Sequence, residues 1–376
     1  MSDAPSIAMR AAVRLRDAGP ATITEIARAL DVSRTSAEKA LTLLEAHGMT
    51  TEHDAGAPTS AGRPARRYGF DATRGTVVGV DIGAASVRVL VSDLAGRVLR
   101  QRTFPGITPA SDGAAQLTAV IEHIRTVLEG CPPARAAGIS LPGIVDDDGR
   151  VIASVVIPEW SGVDVWTRLR QVLGCPVTVD NGVRLAAVAE HHLGAAQYVD
   201  DLIYISVGRR IAMGLIIDGV PRRGVHHAAG DIGRLAFPEL TDPAGELRWE
   251  SGASGEDVFA RAAAGQKEAQ AEVTRFIENL SHGIAVLTMT IDPAMVVIGG
   301  GLSEAHDDLI VPLRAALSTH VGMPFSLSVA EARLGATAAA HGALVVAFDR
   351  LARRIHPLPD MPVPPITPLS DHQNML

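Results

Sequence analysis

The stretch T-V-V-G-V-D-I-G, residues 76–83, opens a run of three strands. S-V-R-V-L-V-S-D-L (86–94) and G-R-V-L-R-Q-R-T-F (96–104) follow it, with turns at Ala84-Ala85 and Ala95-Gly96. Each run is short, rich in β-branched residues and bounded by small ones. Connections this tight predict antiparallel neighbours. Beyond them the pattern alternates: a helix at 113–129, strand A-A-G-I-S-L, a helix at 164–173, strand P-V-T-V-D and a helix at 183–193. The order then starts again. D-L-I-Y-I-S-V and R-I-A-M-G-L-I-I-D-G read as a second hairpin. Helices near 255–264 and 266–290, strand A-M-V-V-I, a helix near 305–319, a strand around 326–330 and a closing helix at 334–352 complete it. Three antiparallel strands followed by alternating helices and strands, twice over, predict two α/β lobes with a cleft between them. Asp81-Ile82-Gly83, Gly208 and Gly299-Gly300-Gly301 each end a strand. They are places where backbone can approach a phosphate or nucleoside.

The segment before residue 76 has a different character. Residues 6–18 carry apolar positions at helical spacing and end at Gly19-Pro20. Thr22 and Glu25 have capping-box spacing ahead of a stripe of Ile23, Ile26, Ala27 and Leu30. After the turn Asp31-Val32-Ser33, Ser33 can cap a helix from Arg34 to about His47, terminated by Gly48. Its stripe of Ala37, Ala40, Leu41 and Leu44 leaves Arg34, Thr35, Ser36, Glu38, Lys39 and Thr42 outside. A polar Gly/Ala/Pro-rich stretch at 50–62 then leads into the strand G-R-P-A-R-R-Y-G-F. This is the pattern of a winged helix-turn-helix over residues 1–75. Ser33, Arg34, Thr35, Ser36 and Lys39 would face the major groove, and Arg63, Arg66 and Arg67 would reach phosphates or the adjacent minor groove. A small helical interaction module with solvated charges would show the same helices.

The bulk numbers fit both parts. The chain has 376 residues, enough for two or three domains, and its core must be built from Ala, Val, Leu and Ile because only 3% is aromatic. The formal net charge is −8, which argues against nucleic acid for the chain taken whole. Residues 1–75 carry a net +1 and the remainder −9, so the first segment is a near-neutral island. Within it Arg63, Arg66, Arg67 and Arg74 face one acid, Asp71. Two cysteines, Cys131 and Cys175, cannot make a disulfide framework or a Cys-rich zinc site, and a reduced cytoplasmic setting is expected. No signal peptide or apolar run of about 18–20 residues is present, so no membrane partner is expected. Residues 353–376 form a tail without periodicity, with six prolines from 356 onward, expected to be disordered.

Seven motifs carry a family resemblance: G-V-D-I-G (79–83), S-D-L-A-G-R-V-L (92–99), L-P-G-I-V (141–145), P-E-W (158–160), D-N-G-V-R-L-A-A-V-A-E (180–190), A-A-G-D-I-G (228–233) and V-I-G-G-G-L (297–302). Across residues 76–350 the chain resembles the ROK family of repressors, open reading frames and sugar kinases. That resemblance implies an actin-like ATPase (ribonuclease H-like) fold of class α/β, with the ROK domain at 76–352 and a second lobe at about 195–335. The helix-turn-helix in front resembles the family's repressor branch.

The departures from the family pattern are informative. Its kinases read roughly Glu-Asn-Asp-Ala-Asn at the corner, the Asp being the general base. Here Asn181 matches the Asn, and Gly182 falls on the base. Glycine cannot accept a proton, and general-base catalysis contributes about 10²–10⁴-fold. A register in which Asp180 serves as the base would place the acid on the strand. The second phosphate loop is Gly208-Arg209-Arg210-Ile211-Ala212 in place of a Gly-Thr-Gly-Ile-Gly-like sequence, and the first is Gly83-Ala84-Ala85-Ser86. Asp81, Gly83, Gly208 and Gly300 are therefore read as a degenerate nucleotide site. Arg209 and Arg210 either bind an anion or are solvated. On the sugar side the family's Asn falls on Val156. Its Glu and His fall on Asp231 and Arg234, and a later Glu on Glu250. D-P-A-G-E-L-R-W-E (242–250) lacks the family's zinc-binding cysteines, so no metal and no cofactor are expected. Asn181, Asp231, Arg234 and Glu250 remain as effector-binding candidates, or as satisfied structural polar groups.

The expectation is a DNA-binding transcriptional regulator, a repressor, controlled by a sugar-like or acidic effector in a catalytically inactive cleft. It would be a homodimer or dimer of dimers on double-stranded operator DNA. An ATP-dependent sugar kinase, or a bifunctional kinase-regulator, is the alternative.

Overall fold

The computed structural model describes residues 5–53, 66–107, 112–302, 307–322, 327–358 and 360–369. The N-terminal unit runs α1 (Ile7–Ala18), β1 (Ala21–Thr22), α2 (Ile23–Leu30), α3 (Arg34–Ala46), β2 (Thr50–His53) and β3 (Arg67–Phe70). The side chains of Ser6, Thr22 and Ser33 accept from Met9, Glu25 and Ser36 N–H, and Thr22 with Glu25 completes a capping box. Asp31 takes a left-handed conformation (φ 51°) to end α2, which sets the short turn into α3. Ala11, Leu15, Ile26, Ala37, Leu41 and Leu44 interlock beneath the three helices. The strands form an antiparallel sheet in the order β1-β3-β2.

The first lobe follows: β4 (Thr76–Ile82), β5 (Ser86–Asp93), β6 (Val98–Pro105), α4 (Gly113–Leu128), β7 (Ala134–Leu141), β8 (Ile144–Val145), β9 (Val151–Ala153), α5 (Val165–Leu173), β10 (Val177–Asn181) and α6 (Gly182–Leu193). The second lobe has β11 (Leu202–Val207), β12 (Ile211–Ile217), β13 (Val220–Pro221), α7 (Gly233–Ala236), α8 (Gly255–Ala263), α9 (Lys267–Ile291), β14 (Met295–Gly299), α10 (Asp307–Val321) and β15 (Ser328–Glu331). Helices α11 (Ala338–Arg350) and α12 (Ala352–Ile355) return to the first lobe. The sheets are ordered β10-β7-β4-β5-β6 and β13-β12-β11-β14-β15. Each joins three antiparallel strands to two parallel ones. The duplicated strand pattern is thus present in space as two sheets of one topology.

In the first lobe, Leu117, Ile121 and Ile124 of α4 and Leu169 of α5 cover one sheet face, over Val78, Val80 and Ile139. Leu185 and Val188 of α6 and Ala340 and Leu344 of α11 cover the other, over Val77, Leu90 and Ala136. The approach of α11 depends on two glycines. A Cβ on Gly138 would land on the Ala343 carbonyl, and one on Gly342 on the Leu185 carbonyl. Backbone-to-backbone packing of this kind leaves no room for any side chain.

The expectation of a disordered tail is corrected over residues 353–358 and 360–369; residues 359 and 370–376 lie outside the described residues. Leu358 and Met361 are buried in the core of the N-terminal unit, and Val363, Ile366 and Leu369 pack against the first lobe. Arg16 donates to the Pro362 carbonyl at 2.7 Å, His356 meets the Phe70 ring edge-on, and Thr367 bridges Arg97 at the sheet margin. Residues 356–358 and 360–369 therefore lie as a strap over both units. Prolines remove backbone donors, which suits a segment that binds by side chains and carbonyls.

Candidate functional site

The corner is built by β10 running into α6 with no loop between them. Asn181 is the N-cap: its Oδ1 accepts from Val183 and Arg184 N–H at 3.0 and 3.3 Å, and its Nδ2 donates to the Gly143 carbonyl at 2.8 Å. Both ends of the amide are thereby spent on structure. Gly182 is the first residue of α6. A Cβ there would sit 2.9 Å from Ser140 Oγ and 3.9 Å from Asp81 Oδ1. The missing side chain is thus aimed at Asp81, whose Oδ1 accepts from Ser140 Oγ at 2.7 Å and whose Oδ2 lies 3.5 Å from Arg88. Burial pushes the Asp81 carboxyl above its usual range, against the pull of Ser140 and Arg88.

Asp180, next to the cap, is 2% exposed and surrounded by cations. Arg184, one helical turn on, pairs with its Oδ1, which also accepts from Asn181 N–H. Arg223 of the second lobe and Arg350 at the end of α11 both reach Oδ2, at 2.5 and 3.1 Å. Burial is the largest single influence on Asp180 and opposes its ionisation, but the three guanidiniums together outweigh it and hold the carboxyl below its usual range. A carboxylate so held is a poor proton acceptor. This cluster also ties the lobes together. Arg223 donates to Asp147 at 3.0 Å as well, and Arg184 donates to the His227 carbonyl at 3.2 Å.

The nucleotide-side turns are brought together in part. A Cβ on Gly208 would lie 3.6 Å from Gly301 N, so the turns after β11 and β14 are neighbours. Gly300 has φ +90°, and a Cβ there would be 2.5 Å from the Val207 carbonyl, so this position needs glycine. Gly83 closes the first turn with its N–H on the Ser86 carbonyl at 3.0 Å. Arg209 is exposed and Arg210 half-buried, and both are held by protein groups. Arg209 grips Glu246, and Arg210 donates to the Ala244 carbonyl at 2.7 Å. The loop is zipped onto residues 241–248, the segment where the family carries its cysteines.

The four effector candidates are not equally available. Asn181 is engaged as described. Glu250 is clasped by Arg275 through two bonds, at 3.0 and 2.5 Å. Asp231 and Arg234 are exposed. None of the four lines the cavity of about 430 Å³ that opens beside β10. Its walls include Asp147, Trp166, Arg223 and Arg350. Arg184, Arg223 and Arg350 were not singled out from the sequence.

On the N-terminal unit, Ser33, Arg34, Thr35 and Lys39 are exposed along the start of α3, and Ser36 is half-buried. Arg34 pairs with Glu38 at 2.9 Å, and Arg66 with Glu52 at 2.9 Å, both exposed. Arg67, expected as a phosphate contact, is half-exposed and also has partners inside the unit. It donates to the Pro20 carbonyl at 2.6 Å and lies 3.4 Å from Glu25, pinning β3 to the start of α2. Arg63 lies outside the described residues.

Two lobes of repeated topology around a strand–helix corner define an α/β fold of the actin-like ATPase type. The ROK family model matches residues 77–246 and 240–350, and the chain belongs to the ROK family. It is 26% identical over 277 residues to a glucokinase of Halalkalibacterium halodurans, covering 63% of this chain and 83% of that one. It is 29% identical to the bifunctional enzyme NanE/NanK of Brucella melitensis over 70% of this chain, but spans only 52% of that enzyme. A xylose repressor of Bacillus subtilis is 23% identical over 319 residues, covering 77% of this chain and 82% of its own. Among solved structures, a ROK family glucokinase from Streptomyces griseus matches 73% of this chain and 99% of its own, with a TM-score of 0.63 and 24% identity. A ROK family transcriptional regulator, a homologue of the E. coli MLC protein, matches 93% of this chain and 97% of its own, with a TM-score of 0.71 and 20% identity. Relatives thus include both repressors and sugar kinases.

Proposed function

We propose that this chain is a DNA-binding transcriptional regulator, a repressor, whose kinase cleft no longer transfers phosphate. The observation that carries this reading is the corner. Gly182 supplies no base, and the adjacent carboxylate, Asp180, is locked by three arginines. The zipped Arg209-Arg210 loop and the buried Asp81, engaged by Ser140 and Arg88, argue the same way. The N-terminal unit supports the other half. A cap-defined second helix with exposed Arg34, Thr35 and Lys39, backed by an antiparallel hairpin, is the geometry of a winged helix-turn-helix. The regulator likeness also extends over 93% of this chain, where the glucokinase likeness covers 73%. Paired subunits would read two half-sites about one helical turn apart. Asp231 and Arg234 are the cleft residues left to meet an effector, which shifts DNA affinity only by binding two lobe arrangements unequally.

The experiment is a gel shift with the DNA upstream of the chain's own coding region, run beside a coupled assay for phosphate transfer from ATP to glucose. Retardation at low salt without transfer is expected. Turnover by the wild-type chain, with no retardation of any upstream fragment, would restore the kinase reading that the glucokinase relatives favour.

A further inference from the structure

The cavity beside β10 combines shape and unspent donors. Of the five N–H donors a guanidinium carries, Arg350 spends one, on Asp180, and Arg223 spends two, on Asp180 and Asp147. Both line a space of about 430 Å³, large enough for a hexose-sized molecule. Arg184, Arg223 and Arg350 share two carboxylates between them, and one of these, Asp147, is 80% exposed and therefore screened. The pocket is thus cationic on a chain whose net charge is −8. Trp166 supplies an apolar wall, fixed by its Nε1 on the Val177 carbonyl at 2.7 Å.

We propose that this pocket binds a small organic oxyanion, a carboxylate or phosphate monoester on a hexose-sized body, through the unspent fork donors of Arg350 and Arg223. The pocket is separate from Gly182, Asp231 and Arg234, so its occupant is recognised by charge and not by the relic of the sugar site. Carboxylates and phosphates alike take two parallel bonds from an arginine fork, which a lysine cannot supply. Position gives the site its reach. Arg223 belongs to the second lobe, while Arg350 is the last residue of α11, directly ahead of α12 and the strap. An anion drawing on both arginines bears at once on the lobe contact and on the root of the segment that packs into the N-terminal unit. That consequence rests on the regulator reading; the binding does not.

The test is calorimetric titration of the full chain, without DNA, with inorganic phosphate, glucose 6-phosphate, gluconate and neutral glucose, alongside tryptophan emission. Glucose 6-phosphate, gluconate or both should bind and shift the emission, with glucose at least tenfold weaker. Which of the two binds more tightly assigns the phosphoryl or carboxylate source. Arg350→Gln should weaken the anion at least tenfold. Arg350→Lys, which keeps the charge beside Asp180, should fold like the wild type and still lose most of the affinity. Arg125→Gln, on the exposed face of α4, should change nothing. Absence of binding by every anion would overturn the proposal. So would affinity lost in Arg234→Gln but kept in both Arg350 variants, because the anion would then sit in the cleft.

Discussion

Between residues 180 and 182 the chain changes from strand to helix, and the two positions face different neighbours. Asp180 points to α6 and α11, while the Cβ that Gly182 lacks would point to Asp81 and Ser140. A buried ion cluster is costly to assemble and more costly to break, since removing one partner strands the others. Asp180→Asn should therefore destabilise the chain by about 3–5 kcal/mol in urea unfolding, because Arg184 stays buried without a counter-charge. A loss under about 1 kcal/mol would mean that the guanidiniums find water instead. At this scale the sequence was partly legible. The gap at Gly182 is visible in the chain, and so is the i,i+4 spacing of Asp180 and Arg184 across the corner. Arg223 and Arg350 stand 43 and 170 residues away from Asp180, and no local spacing can pair them with it.

At the scale of elements, the helices and strands followed from apolar period and caps, and most boundaries fall within two residues of those expected. The strap did not. Its apolar residues, Leu358, Met361, Val363 and Ile366, follow no helical or strand period because each enters a different part of two cores. Burying such side chains contributes about 1.5–3 kcal/mol apiece, which outweighs the missing hydrogen-bond ladder. His356 sits at the strap's root, where burial and then the nearby Arg16 push its pKa down to about 4. It is neutral when folded and regains a value of about 6.5 when unfolded. Its contribution is therefore complete above pH of about 6.5 and is lost as the pH falls towards 4, up to about 3 kcal/mol. Thermal unfolding of the wild type and His356→Gln at pH 7 and pH 5 checks this. The wild type should lose more stability than the variant on acidification, and equal losses would show that His356 does not titrate with unfolding. The structural part that Arg67 plays was illegible for a related reason: no local spacing shows the carbonyl of Pro20, 47 residues away, beside its guanidinium.

For the whole molecule, the sequence carried the two-lobe plan because the plan is repeated, and each half supports the reading of the other. It carried the substitutions at the corner but not the cluster beside it, where arginines from three separate segments meet Asp180. The DNA reading makes a prediction at this scale that separates two basic residues. Lys39→Ala should weaken operator binding and lower the slope of log affinity against log salt by about 0.9 for each phosphate left without its cation. Arg67→Ala should lower that slope less than Lys39→Ala, since its guanidinium already holds the Pro20 carbonyl and lies 3.4 Å from Glu25. A reduced slope for Arg67→Ala and none for Lys39→Ala would move the DNA interface from α3 to the hairpin.

The strap has a further consequence, for the order in which the molecule is made. Synthesis releases the N-terminal unit ahead of the two lobes, at about 5–20 residues per second. Leu358 and Met361, which complete its core, leave the ribosome 288 and 291 residues after Phe70, the end of β3. The N-terminal unit thus emerges ahead of both lobes and is finished after them. A chain cut short in synthesis carries an N-terminal unit with an open seam.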